Sequence, residues 1–253
     1  LGYGVTLLAL ALAAKKFLPA EPPAKNSYLT QGLLLVTLGF IAKFSGLQLA
    51  LMLGAESVAL FLLGSQRRSP VLKGFAALAA ALATGWGVAG LKPFDAAGLW
   101  SGGGLGALLA FNAFWAHRQA DGKNTALLRS EPAFFTFFAC VSWLAATWIN
   151  VTEEQLPLVF AVEAVVLTLS LHLLRVREIT LLGQFFLILA QFIWLFHFHI
   201  GWLHFHTAAL PWWNPLALIA ITLGLSVWWT RQNFLPAGLA RAYRWVAVAM
   251  SLL

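Results

Sequence analysis

QLALMLGAESVALFLLG, Gln48–Gly64, runs for seventeen residues with Glu56 as its one ionisable side chain. A run of that length and apolarity suits a helix crossing a hydrocarbon core roughly 30 Å thick. It does not alternate as a membrane-barrel strand would. The neighbouring sequence reads the same way, with apolar segments at 1–18, 29–45, 48–64, 71–91, 98–115, 133–150, 155–173, 178–198, 213–230 and 239–253. Over all 253 residues, 60% are hydrophobic and 10% charged, and the mean hydropathy is +0.81. Soluble domains carry about 25% charged residues. The fold class expected is therefore all-α, a polytopic helical membrane protein with about ten spanning helices.

The formal net charge of +7 raises nucleic acid as a partner, but the order of the charges argues against it. Lys15, Lys16 and Lys25 follow segment one, and Arg67, Arg68 and Lys73 follow segment three. Arg118, Lys123 and Arg129 follow segment five, Arg175 and Arg177 follow segment seven, and Arg231, Arg241 and Arg244 follow segment nine. Fourteen of the 16 basic residues thus fall on one side, leaving Lys43 and Lys92 for the other. The positive-inside rule makes the odd-numbered loops cytoplasmic and the amino terminus external. The expected partner is the lipid bilayer, not nucleic acid. Segment one lacks a basic leader region and a small-residue cleavage site, so it reads as a span and not a signal peptide. Leu1 and the closing MSLL both sit in apolar runs, which suggests a chain cut from something longer. The single Cys140 has no partner for an internal disulfide.

A repeat is visible inside the chain. Glu56 in LGAESVALFLLG and Glu163 in FAVEAVVLTLSL stand 107 residues apart, each at the centre of its segment. Each is followed by a basic turn, QRRSP with Arg67 and Arg68, then LRVRE with Arg175 and Arg177. FLPA occurs at 17–20 and at 234–237, two such periods apart, and Tyr28, Phe135 and Tyr243 open corresponding segments. The pattern predicts parallel four-helix repeats, because an even number of helices per unit preserves orientation. The expected units are 1–97, 98–212 with a His-rich outer loop, and 213–253 as the first two helices of a third. A helix beyond Leu253 would then carry an acidic residue at its centre.

GAESVALFLLG at 54–64 and, with its last glycine replaced, AVEAVVLTLSL at 161–171 fit A-x-E-x-x-x-L-x-L-x-G before a basic turn. This pattern resembles a bacterial family of large polytopic membrane proteins known only as a domain of unknown function. The resemblance covers most of residues 28–200. It implies an inner (plasma) membrane protein of many such units, and it implies no activity.

Glu56 and Glu163 are the first candidate functional residues. A carboxylate at the centre of a spanning helix costs about 2.5–3.5 kcal/mol on insertion scales. Two readings account for it: a proton or cation relay, or a structural clasp hydrogen-bonded to a neighbouring helix. Recurrence in each unit favours the clasp, since whatever builds the unit must be repeated. The second candidate is HFHIGWLHFH, which holds His197, His199, His204 and His206. With a turn at Gly201, the two H-x-H pairs offer imidazoles to copper or zinc. As a continuous helix the pairs become His197 with His204 and His199 with His206. The competing reading is an interfacial aromatic belt with Trp194, Trp202, Trp212 and Trp213, and it is preferred because no Cys, Asp or Glu completes a familiar site. Haem ligation fails because His172 lies at the opposite end of the bundle from the four outer histidines.

Small-residue stretches at 76–90 and 101–110 suit close helix packing in lipid. No phosphate loop, nucleophile elbow, H-E-x-x-H or C-x-x-C is present, and no catalytic residue is assigned. Three functions are expected in descending order. The first is a non-enzymatic scaffold or subunit of a cell-envelope assembly, joined to other membrane subunits or further repeats of its own chain. The second is a transporter or channel for an ion or small envelope molecule through Glu56 and Glu163. The third is a metal-binding protein through the histidines.

Overall fold

The computed structural model of the chain describes residues 2–17, 22–119, 130–174, 178–203, 213–232 and 237–252, and every regular element among them is helical. The helices are α1 (Gly2–Phe17), α2 (Pro22–Lys43), α3 (Gly46–Gln66), α4 (Pro70–Ala89) and α5 (Ala96–Gln119). They continue as α6 (Ser130–Asn150), α7 (Leu156–Leu174), α8 (Glu178–Leu203), α9 (Trp213–Arg231) and α10 (Ala237–Leu252). Each apolar run of the sequence has become one helix. Among the described residues four are long and apolar enough to cross a membrane: α3, α4, α6 over Glu131–Asn150, and α9. Shorter apolar stretches lie in α2 (Ser27–Lys43), α7 (Leu156–Ser170) and α8 (Leu182–Phe196). At about 1.5 Å per residue, the 20 residues of α4 reach the thickness of a hydrocarbon core. The sixteen residues of α1 and of α10 fall short of it.

The chain divides into two compact units, residues 1–150 with α1–α6 and residues 151–253 with α7–α10. In the first, α1–α2, α3–α4 and α5–α6 form hairpins, with α3 against α5 and α4 against α6. α2 touches both α3 and α4. In the second unit, α7–α8 and α9–α10 are hairpins and α7 lies against α9.

Local chemistry fixes the turn between α3 and α4. The Ser69 amide donates to Gly64 O at 2.9 Å and the Arg68 amide to Ser65 O at 3.4 Å, a Schellman ending. That motif places its penultimate residue in the left-handed region, normally glycine, and here Arg68 occupies it with φ +50°. Pro70 then opens α4, where its missing N–H costs nothing. Gly46, with φ +56°, turns the chain from α2 into α3 at the other end.

Small residues set the helix spacing. Lipid is as apolar as leucine, so packing in a membrane depends on close dispersion contact more than on expulsion of water. Leu105 of α5 is gripped between two glycines. A Cβ on Gly54 of α3 would lie 2.7 Å from its Cδ1, and one on Gly87 of α4 would lie 2.8 Å from its Cδ2. Along the α5–α6 seam, a Cβ on Gly102 would collide with the Cβ of Ala146, and one on Gly106 would lie 3.3 Å from Ala139 O.

The buried stripes of the two units keep step. In α3 the buried positions include Leu49, Leu53, Gly54, Ser57, Leu60 and Phe61. In α7 they include Leu156, Phe160, Ala161, Ala164, Leu167 and Thr168, each 107 residues further on. Ala76, Ala79, Ala80, Ala83, Thr84 and Gly87 of α4 match Gly183, Phe186, Leu187, Ala190, Gln191 and Trp194 of α8 with the same shift. Tyr28, Phe135 and Tyr243 each stand about one and a half turns inside their helices, α2, α6 and α10.

Candidate functional site

Mid-helix α3 carries the polar centre of the first unit. The apolar run before it places Glu56 on the side of α3 that meets α2. Thr37 Oγ1 donates to Glu56 Oε1 at 2.9 Å, and the same hydroxyl lies 3.1 Å from Leu33 O in its own helix. One hydroxyl proton therefore serves two acceptors. Glu56 Oε2 is buried and has no hydrogen-bond partner among the described residues.

One residue on, Ser57 turns toward α4 and α5 and is fully buried. Its Oγ donates to Ala76 O of α4 at 2.7 Å and accepts from Asn112 Nδ2 of α5 at 2.9 Å. Asn112 is also fully buried, and its Oδ1 has no partner among the described residues. Two consecutive residues of α3 thus bind three helices, α2, α4 and α5. A second rung joins α4 to α6, where the Thr84 and Ser142 hydroxyls lie 3.3 Å apart.

The second unit reproduces the position but not all of the chemistry. Glu163 is half-buried in α7 at the place Glu56 holds in α3. Ser57 is replaced by Ala164 and Ala76 by Gly183, so the serine-to-carbonyl bond gives way to bare contact. A Cβ on Gly183 would lie 3.4 Å from Ala164 O. α8 and α9 are joined by a polar tie, in which Gln191 Nε2 donates to Thr222 Oγ1 at 3.1 Å.

The histidine stretch is split. His197 and His199 lie on α8, whose backbone is helical to Leu203. Their side chains, and His204 and His206 entirely, lie outside the described residues. Among the described residues no group of three His, Cys, Asp or Glu side chains is placed to hold a metal ion. Of the basic turns, Arg67 caps α3 and Arg68 takes the left-handed position after it. Arg175 and Arg177 lie outside the described residues.

In the first unit the two ends differ in chemistry. Arg67, Arg68, Lys73 and Arg118 gather at the end holding the α3–α4 turn and the carboxyl end of α5. The opposite end carries exposed aromatics: Trp86, Phe94, Trp100 and Trp148. Phe94 is left-handed, with φ +57°, in a turn tied to α6 by the Asp95 amide, which donates to Asn150 Oδ1 at 2.9 Å.

Sequence reasoning missed Thr37, Asn112 and the Thr84–Ser142 pair as members of the polar centre. Their signal was a polar residue inside an apolar run, which names no partner until the helices are crossed. No family model, no curated protein and no solved structure matches the chain.

Proposed function

We propose that the chain is a non-enzymatic scaffold or subunit of a cell-envelope assembly, integral to a bacterial inner membrane, with its odd-numbered turns cytoplasmic. The observation that carries this reading is the use made of the polar residues in mid-α3. Glu56 and Ser57 hydrogen-bond to α2, α4 and α5, so they hold a bundle together. Interhelical bonds of this kind contribute about 0.6–1.7 kcal/mol each in lipid. The common 107-residue shift of the buried stripes supports a parallel repeat of four helices, with units at 1–97, 98–212 and 213–253. Such units stack by burying each face on the next, as solenoid repeats do. The basic turns at one end support the orientation, and the exposed aromatic residues at the other suit a membrane interface.

A second reading, a transporter or channel acting through Glu56 and Glu163, draws on one observation: the buried, unpartnered Oε2 of Glu56. Reconstituted vesicles separate the two. A scaffold gives the same slow ion and proton leak for the parent chain, Glu56→Gln and Glu163→Gln. Flux above empty vesicles in the parent that vanishes in either Gln variant would establish the relay and remove the scaffold.

A further inference from the structure

Beyond the polar centre, the basic end of the first unit holds two adjoining hollows that differ in character. The first is a polar cleft of about 570 Å³ lined by Ser65, Arg68, Lys73, Gln119 and Glu131. The second, of about 360 Å³, shares Lys73 and Glu131 and is lined further by Gly74, Ala77, Phe61, Phe134 and Phe135. Its walls come from α3, α4 and α6, and it leads from the helix ends toward the middle of the apolar runs. A Cβ built on Gly74 meets nothing within 4 Å, so the groove is open beside α4.

We propose that these hollows together bind one anionic phospholipid, its phosphate in the polar cleft and an acyl chain in the groove. Three features point to a phosphate at that place. Arg68 and Lys73 supply two cations, and a planar guanidinium beside an ammonium suits a phosphodiester. α4 begins at Pro70, on the cleft wall, and the positive end of its backbone dipole favours an anion. Ser65 lines the cleft, and its buried Oγ has no hydrogen-bond partner among the described residues. Arg68 holds its position in a left-handed conformation where glycine is the usual residue, so the fold tolerates strain to keep a guanidinium at the rim.

Glu131 is the opposing charge. Its carboxylate accepts from Lys73 Nζ at 2.9 and 3.1 Å, and both groups reach solvent, so a phosphate competes with it for the ammonium. Lys73 also stands 5.7 Å from the centre of the Phe61 ring, at the junction of the two hollows. The join of a basic cleft to an aromatic-walled groove favours an amphiphile over a free ion. Basic pockets between helices at a membrane surface recognise anionic headgroups by this combination.

The test uses the full chain in neutral detergent, with retained lipid counted by native mass spectrometry after addition of phosphatidylglycerol or phosphatidylcholine. Phosphatidylglycerol is retained in preference. Arg68→Gly, which keeps the left-handed turn, and Lys73→Ala each weaken its binding about fivefold, as removal of one cation near a surface does. Glu131→Gln strengthens it by releasing Lys73. Gly74→Leu fills open space, leaves the unfolding midpoint unchanged, and displaces the lipid. A second arm adds inorganic phosphate as competitor. If phosphate competes fully and Gly74→Leu has no effect, the cleft holds a free anion and the lipid assignment is wrong. Equal retention of the two lipids, or phosphatidylglycerol binding unchanged in both cation variants, overturns the site altogether. The assignment rests on the membrane reading, and the two fail separately, because detergent-dependent extraction from membranes is scored on the same preparations.

Discussion

Gly102→Ala is the sharpest probe of how the first unit is packed. The added methyl would collide with the Cβ of Ala146 across the α5–α6 seam, and neither atom is the far end of a flexible side chain. The helices must therefore part, on the order of an ångström, which costs about 1–3 kcal/mol for overpacking. Replacing glycine by alanine inside a helix returns about 0.5–1 kcal/mol. The net loss expected is about 1–2 kcal/mol. Ala146→Gly alone loses about 1 kcal/mol of helix propensity and opens a small void. The double variant merely exchanges which helix carries the methyl, so its stability returns to within about 1 kcal/mol of the parent. Subtraction gives a favourable coupling of about 2 kcal/mol between contacting positions. Unfolding in mixed micelles, followed by far-ultraviolet circular dichroism, measures all four proteins. Additive losses, or a Gly102→Ala protein as stable as the parent, would refute the packing argument.

The other predictions concern polar groups and one backbone turn. Ser57→Ala removes the bond to Ala76 O and leaves Asn112 Nδ2 buried without an acceptor, so it costs about 1–3 kcal/mol. Asn112→Leu removes that bond together with the unpartnered Oδ1 and costs less; the same unfolding assay finds the order reversed if the network is drawn wrongly. Arg68→Gly relieves a left-handed residue and raises stability by about 0.5–1 kcal/mol, and a loss of stability would mean that the turn is not of the Schellman type. Glu56→Gln keeps an acceptor for Thr37 and changes stability by less than about 0.5 kcal/mol, whereas Glu56→Leu costs about 1 kcal/mol.

The helices were legible because the apolar run and the helix are nearly the same object in a membrane protein. The run at 48–64 became α3 (Gly46–Gln66), and the run at 71–91 became α4 (Pro70–Ala89). The helices outrun their apolar runs where they continue into polar sequence. α2 begins at Pro22, ahead of the apolar run that starts at 29, and α5 runs to Gln119, past the run that ends at 115. Hydropathy reports the part of a helix that matches lipid, while backbone hydrogen bonds continue as far as capping allows. Glu56 stood out because a carboxylate in an apolar run is costly. Its partner Thr37 did not, since a residue on the preceding helix faces it only once the crossing geometry exists. Asn112 and Arg68 were hidden for related reasons: one needs a crossing of α3 and α5, the other a dihedral angle. The buried stripes have the same 107-residue spacing as the two glutamates, including at positions whose residues differ, such as Phe61 and Thr168.

The central claim is that these helices cross a membrane with the basic turns inside, and α4 tests it alone. In a Cys140→Ser background, Arg67→Cys and Lys92→Cys place single thiols at exposed positions on the two sides of α4. Intact cells are treated with a membrane-impermeant maleimide before and after permeabilisation. The account predicts labelling of Lys92→Cys in intact cells and of Arg67→Cys only after permeabilisation. Labelling of both from the same side would mean that α4 does not cross the membrane, and the reverse order would place the basic turns outside.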